Sequence, residues 1–203
     1  MYALVENNEI TKFINHPKSM VIGDVQYPAK IFQLWSASEL NAIGIYEVVF
    51  DDSNKKDEKW YINTNQSYDF DGNEVTATYG TATPKAHADT LFTAQDETDG
   101  LGTEGEVATR GLKYNLIQTL KSQVANELAR TDWYITRNAE KSTAIPSSIS
   151  THRDAVRTKQ ASMETAITNA SDTPALETLY TYTTDSDGVQ QPRPLGELPI
   201  LES

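Results

Sequence analysis

The sequence contains no cysteine and no long apolar run. The absence of cysteine excludes disulfide bonds, thiolate metal ligands and cysteine nucleophiles. No hydrophobic stretch approaches the roughly 18 residues that a membrane-spanning helix needs. The first ten residues, MYALVENNEI, lack the basic and apolar regions of a signal peptide. We therefore expect no membrane partner.

Basic residues are also scarce, with 17 Lys and Arg against 29 Asp and Glu and a net charge of -12. Because phosphate contacts require clustered Lys and Arg, this balance argues against a nucleic-acid partner. The segment from Arg110 to Lys159 is an exception, with nine basic against four acidic residues. Two interpretations remain open: solvated charged faces, or oppositely charged patches that dock on each other or on repeated copies.

Motifs of catalytic and cofactor sites are missing or lack their context. The stretch GLGTEG places Gly100, Gly102 and Gly105 in a G-x-G-x-x-G pattern, but an acidic loop precedes it instead of a strand. The three histidines show no metal-ligand spacing, and no G-x-S-x-G occurs. We predict that the protein is not an enzyme and has no catalytic, cofactor-binding or metal-binding residue.

The first part of the chain predicts a β-rich domain within an α+β fold. Short β-rich runs over residues 1–80 indicate a small antiparallel domain. Ser36 and Glu39 form a capping-box pattern, which starts the one short helix of this domain at Ala37. Residues 81–110 are acidic and rich in glycine, and this composition predicts a linker.

The remaining residues predict a helical domain and a tail. Apolar residues recur with helical spacing over 111–182, which predicts a helical hairpin followed by a short third helix. Residues 183–203 contain three prolines and two glycines and predict an extended tail. Such a tail is disordered alone or ordered by lying along a partner, such as the edge of an adjacent subunit.

Trp133 and Tyr134 fall between the two long helices of this hairpin. We predict that Trp133 is a buried structural wedge, because large aromatic side chains dominate burial in small cores. A ligand platform is the alternative.

Three arginines of the helical domain are candidate protein-interaction residues: Arg137, Arg153 and Arg157. The alternative interpretation is that they are surface arginines paired with nearby carboxylates, such as Glu140 and Asp154.

Two short motifs of the helical domain resemble a known family. The first is RTDW at 130–133, and the second is HRDAVR at 152–157, with Pro146 between them. With these motifs, residues 112–182 resemble a C-terminal module of tailed-bacteriophage tail proteins, which recurs in tail assembly chaperones and tail-fibre-assembly proteins. His152 departs from the family pattern, which tends to have tyrosine there.

The resemblance implies a non-enzymatic role in building a phage tail. Its expected partners are other tail or fibre proteins and further copies of the chain. We expect a structural tail, baseplate or fibre-attachment component, which is assembled in the host cytoplasm through the helical module and extended tail and resides in the virion tail. The alternative is a tail or tail-fibre assembly chaperone that is absent from the mature particle.

A distant alternative is a host-surface glycan-binding module. It requires exposed aromatic side chains on the strand face, and five residues of the β-rich domain are candidates: Trp60, Tyr61, Tyr68, Phe70 and Tyr79. Strand core is the competing interpretation for these residues.

Overall fold

The computed structural model describes residues 1–64 and 66–201 and divides the chain into two compact units, Met1–Thr83 and Pro84–Ser203. The first unit is rich in strands and the second is largely helical, which confirms the predicted α+β class. Residues 202–203 of the predicted tail lie outside the described residues.

The first unit combines short strands with short helices. Its described elements are β1 (Tyr2–Glu6), β2 (Glu9–Ile14), β3 (Met20–Ile22), β4 (Val25–Tyr27), α1 (Ile31–Leu34), α2 (Ala37–Asn41), β5 (Ile45–Asp51), β6 (Tyr61–Ile62), β7 (Ser67–Phe70) and β8 (Val75–Thr78). A further short strand, β9 (Thr83–Pro84), spans the division between the units.

Five strands form a sheet in the order β2-β1-β5-β8-β7. The β1–β2 hairpin turns at Asn7 and Asn8, which both have positive φ angles (54° and 64°), as a tight hairpin turn requires. The sheet curls, so that its two edge strands approach each other. The ring centroids of Phe13 on β2 and Tyr68 on β7 lie 4.4 Å apart.

One pair in this sheet contradicts the antiparallel prediction, since β5 and β8 run parallel. The β7–β8 hairpin docks on β5 through its second strand instead of its first. Val75 and Ala77 explain this choice, because both are completely buried and β8 therefore takes the interior position in the sheet. Only an edge position remains for β7.

Apolar residues are buried on both faces of the sheet. Successive side chains of a strand point to opposite faces. Leu4 of β1 accordingly belongs to a cluster with Leu40 and Ile45, whereas its neighbours Ala3 and Val5 pack with Val75 on the other face.

The short helices of this unit agree only in part with the sequence. The predicted capping box of α2 is confirmed, because Glu39 N–H donates to Ser36 Oγ (3.3 Å) and Ser36 N–H donates to the Glu39 carboxylate (2.8 Å). The prediction of one short helix is wrong, since α1 precedes α2. Ile31 anchors α1 in the core through burial, although the helix lacks a side-chain cap.

The second unit contains α3 (Ala94–Thr98), α4 (Leu112–Ala129), α5 (Asp132–Lys141), α6 (Ser147–Asn169) and α7 (Thr173–Tyr180). Two antiparallel strand pairs accompany the helices: β10 (Thr90–Leu91) with β11 (Val107–Thr109), and β12 (Thr183–Thr184) with β13 (Gln190–Gln191).

The long helices α4 and α6 run antiparallel, as the sequence predicts. Lys113, near the start of α4, donates from Nζ to the carbonyl of Thr168, near the end of α6 (2.8 Å). Arg153, near the start of α6, donates to the carbonyl of Leu128, near the end of α4 (2.8 Å). The sequence did not predict α5, which occupies most of the connection between the two helices.

The segment predicted as a linker is folded, so that prediction is wrong. Residues 90–109 form the β10–β11 pair, and α3 lies between these two strands. Thr93 and Asp96 form a capping box that starts α3, and Gly102 packs so closely on Phe92 that an added Cβ would lie 2.4 Å from the ring. This packing explains one glycine of the G-x-G-x-x-G pattern.

The predicted extended tail also packs on its own unit. Leu195 is buried, and its N–H donates to the carbonyl of Leu179 in α7 (3.0 Å). The prediction that the tail depends on a partner for order is therefore wrong for the described residues. Leu195 and the β12–β13 pair hold described parts of this segment, although its composition is unfavourable for a core.

A candidate interaction surface at the end of the long helices

Arg153 lies at the point where α4, α5 and α6 meet. Its guanidinium Nη1 donates to the Leu128 carbonyl (2.8 Å), to Thr131 Oγ1 (2.7 Å) and to Asp132 Oδ1 (2.8 Å). The Leu128 carbonyl, at the end of α4, also accepts from the Thr131 N–H (3.0 Å), and the basic side chain adds a charged donor there. The same group fixes the carboxylate of the first residue of α5.

Arg153 is only 8% exposed, so it is not the interaction residue that the sequence predicts. The physical reason is that acceptors at the break between α4 and α5 occupy its guanidinium, namely the Leu128 carbonyl, Thr131 Oγ1 and Asp132 Oδ1. Thr131 is 1% exposed and belongs to the same junction, because its hydroxyl donates to the Leu128 carbonyl (3.0 Å).

A second buried contact adjoins this junction. His152 is 7% exposed, and its Nε2 lies 3.0 Å from the carboxylate of Glu127 on α4. Arg130 donates to the same carboxylate (2.9 Å). The hydrogen bond from Arg130 lowers the pKa of Glu127 below its ordinary value, and the contact with His152 contributes to this shift.

Trp133 is 51% exposed, so the prediction of a buried wedge is wrong. Trp133 stands in the first turn of α5, a helix in which no residue is buried. Its ring stacks on Tyr134, with centroids 4.0 Å apart, and Ile135 beside it is 40% exposed. We call Trp133, Tyr134, Ile135 and Arg137 the α5 surface.

Arg137 completes this surface. Its guanidinium carbon lies 4.6 Å from the centre of the Trp133 ring and 5.6 Å from that of Tyr134, within the range of cation–π contacts. Its Nε is buried without a hydrogen-bond acceptor, and no carboxylate within the described residues pairs with it. The alternative that Arg137 pairs with Glu140 therefore does not hold.

Arg157 follows the alternative interpretation. Its side chain is half exposed, and its Nη1 lies 3.4 Å from Asp154 Oδ1, three residues earlier on α6. Of the three predicted arginines, Arg137 alone belongs to the α5 surface. Ile135 was not predicted from the sequence. A single isoleucine two residues after Trp133 does not indicate whether its side chain is buried or exposed.

The aromatic residues proposed for glycan binding lie mainly inside the first unit. Trp60 and Tyr61 are each 3% exposed. Tyr68, Phe70 and Tyr79 are half-buried. The rings of Phe70 and Tyr46 pack with their centroids 4.7 Å apart. This arrangement agrees with the strand-core interpretation for Trp60 and Tyr61.

Neither a metal-binding cluster nor a membrane-spanning helix occurs among residues 1–64 and 66–201. No group of three or more His, Asp and Glu side chains in ranges 1–64 and 66–201 is arranged to hold a metal ion. In the same part of the chain, no helix has the length and apolar character to cross a membrane.

Comparison with known proteins gives no relative. No protein-family model, curated protein or solved structure matches the chain. The geometry of the chain itself is therefore the main basis for a functional proposal.

Proposed function

We propose that the protein is a non-enzymatic structural component of a bacteriophage tail, at the tail, baseplate or fibre attachment of the virion. In this proposal, the protein contacts neighbouring tail proteins through its α5 surface. The observation that carries the proposal is the exposure of Trp133 and Ile135 beside Arg137, whose charge has no carboxylate partner in the described part of the chain.

The composition of this surface supports a role in protein binding. Tryptophan, tyrosine and arginine are enriched among the residues that contribute most to protein interfaces. A rigid support lowers the entropy lost on binding. Arg153 provides such support, because its buried side chain joins the end of α4 to the start of α5 through hydrogen bonds.

The family resemblance supports the tail context. The two motifs that carry it, at 130–133 and 152–157, contribute the two sides of one hydrogen-bonded junction. The hydrogen bonds of this junction hold α5 in place. An assembly module that binds its partner through α5 would therefore contain both motifs. Because the described residues of the tail pack on their own unit, we assign the proposed contact to α5 instead of the tail.

The test is quantitative mass spectrometry of purified particles of the phage that encodes the chain. We expect a fixed copy number in the particle, set by the symmetry of the tail. Presence in the lysate with absence from the particle would overturn the structural role and indicate the assembly chaperone instead.

A complementation series tests whether the α5 surface is responsible. A phage that lacks the gene is supplied with wild-type protein, with Trp133→Ala combined with Arg137→Ala, or with Arg157→Ala as the matched control. We expect the double variant to fail to restore infectious particles, whereas the control restores them. Equal restoration by both variants would contradict the assignment of this surface.

A further inference from the structure

A second exposed surface lies in the segment that connects β10 and β11. Four acidic residues there have exposed side chains: Glu97, Asp99, Glu104 and Glu106. Leu91 and Leu101 are 49% and 65% exposed beside them. We call these six residues the acidic surface. It combines negative charge with exposed apolar side chains, as the α5 surface combines positive charge with exposed apolar side chains.

The acidic surface belongs to the N-terminal end of α4. The Asp89 carboxylate accepts from the N–H of Gly111, the residue before α4 (2.8 Å), and pairs with Arg110 (2.6 Å). The N–H of Leu112, the first residue of α4, donates to the Ala86 carbonyl (3.0 Å). These bonds attach residues 86–89, which lead directly into β10, to the first turn of the helix.

The α5 surface lies beyond the opposite end of the same helix. α4 has 18 residues, and at a rise of about 1.5 Å per residue its ends are separated by about 27 Å. A helix of this length that is packed against α6 cannot bend to bring the two surfaces of one copy together. A contact between them therefore requires two copies.

The two surfaces match in chemistry. Arg137 and Lys141 are the cations of α5, and neither pairs with a carboxylate in the ranges that the structure describes. An acidic side chain of a second copy could therefore pair with the guanidinium of Arg137. Exposed Trp133 and Ile135 would at the same time cover apolar area on Leu101.

We propose that the α5 surface of one copy binds the acidic surface of a second copy, so that copies associate head to tail. This inference rests on the proposed structural role and names one partner of the site, which is the chain itself. The contact is heterologous, because two different patches meet. Repetition of such a contact closes into a ring or extends as a filament, depending on the rotation between copies.

The experiment measures association of the full chain by analytical ultracentrifugation over a range of concentrations. Wild-type protein is expected to show species larger than the monomer, and the dissociation constant is expected to rise at least tenfold between low and high salt, because exposed charges are screened. A wild-type chain that remains monomeric at all concentrations would overturn the proposal.

Two charge-reversal variants identify the surfaces. The first combines Arg137→Glu with Lys141→Glu, and the second combines Glu97→Lys with Asp99→Lys. The dissociation constant of each variant alone is expected to be at least tenfold higher than that of the wild type. An equimolar mixture of the two variants is expected to recover association. The second variant keeps a wild-type α5 surface, which can bind the wild-type acidic surface of the first variant. Recovery distinguishes the head-to-tail contact from one in which identical surfaces meet, and failure to recover would overturn the proposal.

Two controls separate folding and function from association. Arg157→Glu changes an exposed charge of α6 outside both surfaces and is expected to associate as the wild type does. If a charge reversal lowers the melting temperature, the pair Trp133→Ala and Leu101→Ala replaces it, with the same expected loss. If the chain is present in particles but is monomeric in solution, the structural role stands and only the self-association is rejected.

Discussion

Three arginines near the end of the long helices differ in what surrounds their guanidinium groups. Arg153 donates to a helix-end carbonyl and to Asp132, so it is part of the folded framework. Arg157 is paired with Asp154 at the surface, where such pairs contribute little to stability. Arg137 stacks on two aromatic rings and pairs with no carboxylate of the described residues, which leaves its charge available to a partner.

Replacement of Arg153 tests whether this residue stabilises the folded helical unit. We expect Arg153→Met to lower the free energy of unfolding of the helical unit by about 2–3 kcal/mol, because the helix-end carbonyl and Thr131 lose a charged donor. Arg157→Met is the matched control and is expected to change it by about 0.5 kcal/mol or less. Urea titrations followed by circular dichroism measure both variants, and equal effects would contradict the buried role.

Trp133 tests the exposure of α5. A buried tryptophan replaced by alanine costs about 3–5 kcal/mol. Because Trp133 is half exposed, we expect Trp133→Ala to cost about 1 kcal/mol or less, mainly through the lost contact with Arg137. The same urea titration provides the measurement. A loss in the range of a core tryptophan would restore the wedge interpretation.

Glu127 gives the helical unit a pH dependence of known sign. Its pKa in the folded protein lies below its ordinary value of 4.5, chiefly through the hydrogen bond from Arg130. A depressed carboxyl pKa contributes stability above the ordinary value and loses it as the pH falls through the folded value. We therefore expect wild-type stability to decrease below about pH 4.5 more steeply than that of Glu127→Gln. Melting temperatures between pH 6 and pH 3 measure the difference, and parallel curves would reject the contribution of Glu127.

At the scale of the elements, the turn between α2 and β5 depends on a single glycine. Gly44 has a φ of 81°, and a Cβ added there would lie 2.5 Å from the backbone oxygen of Val5. Its own carbonyl accepts from the Val5 N–H (2.8 Å), which ties the turn to β1. The α2–β5 connection is therefore part of the sheet.

Gly72 supplies a matched comparison for this turn. Its φ is 97°, but an added Cβ would meet no atom within 4 Å. We expect Gly72→Ala to cost about 1–2 kcal/mol for the left-handed backbone alone. Gly44→Ala should cost more, because the clash with Val5 adds to the same strain. Thermal unfolding of the two variants tests this order, and equal costs would contradict the close approach.

At the scale of the whole molecule, each unit has its own buried apolar residues. The core of the first unit includes Ile14 and Ile45, and that of the second includes Val156, Ile167 and Leu176. Units with separate cores can unfold separately.

We expect two unfolding transitions that respond to different substitutions. Gly44→Ala should lower only the transition of the first unit, and Arg153→Met only that of the second. Tryptophan fluorescence distinguishes them when Trp133 is replaced by phenylalanine, since Trp35 and Trp60 then report on the first unit alone. A single transition that both substitutions lower equally would show that the two units unfold together.

Features that depend on neighbouring residues can be predicted from the amino-acid sequence. The α+β class, the capping box at Ser36 and the hairpin turn at Asn7 and Asn8 follow from periodicity, capping and turn preferences, which act over a few residues. The start of α7 shows the same local control, since the Asp172 carboxylate accepts from the Ala175 N–H (2.8 Å), as the side chain of an N-cap residue does.

The surfaces that these elements bury depend on contacts between residues that are distant in the sequence. The parallel pairing of β5 with β8 followed from the burial of Val75 and Ala77, which lie distant in sequence from β5. Arg153 is internal because acceptors of both neighbouring helices surround its guanidinium, whereas Trp133 is exposed on α5, a helix with no buried residue. Desolvation and hydrogen-bond satisfaction are set by groups that meet only after the chain folds, so no local pattern records them.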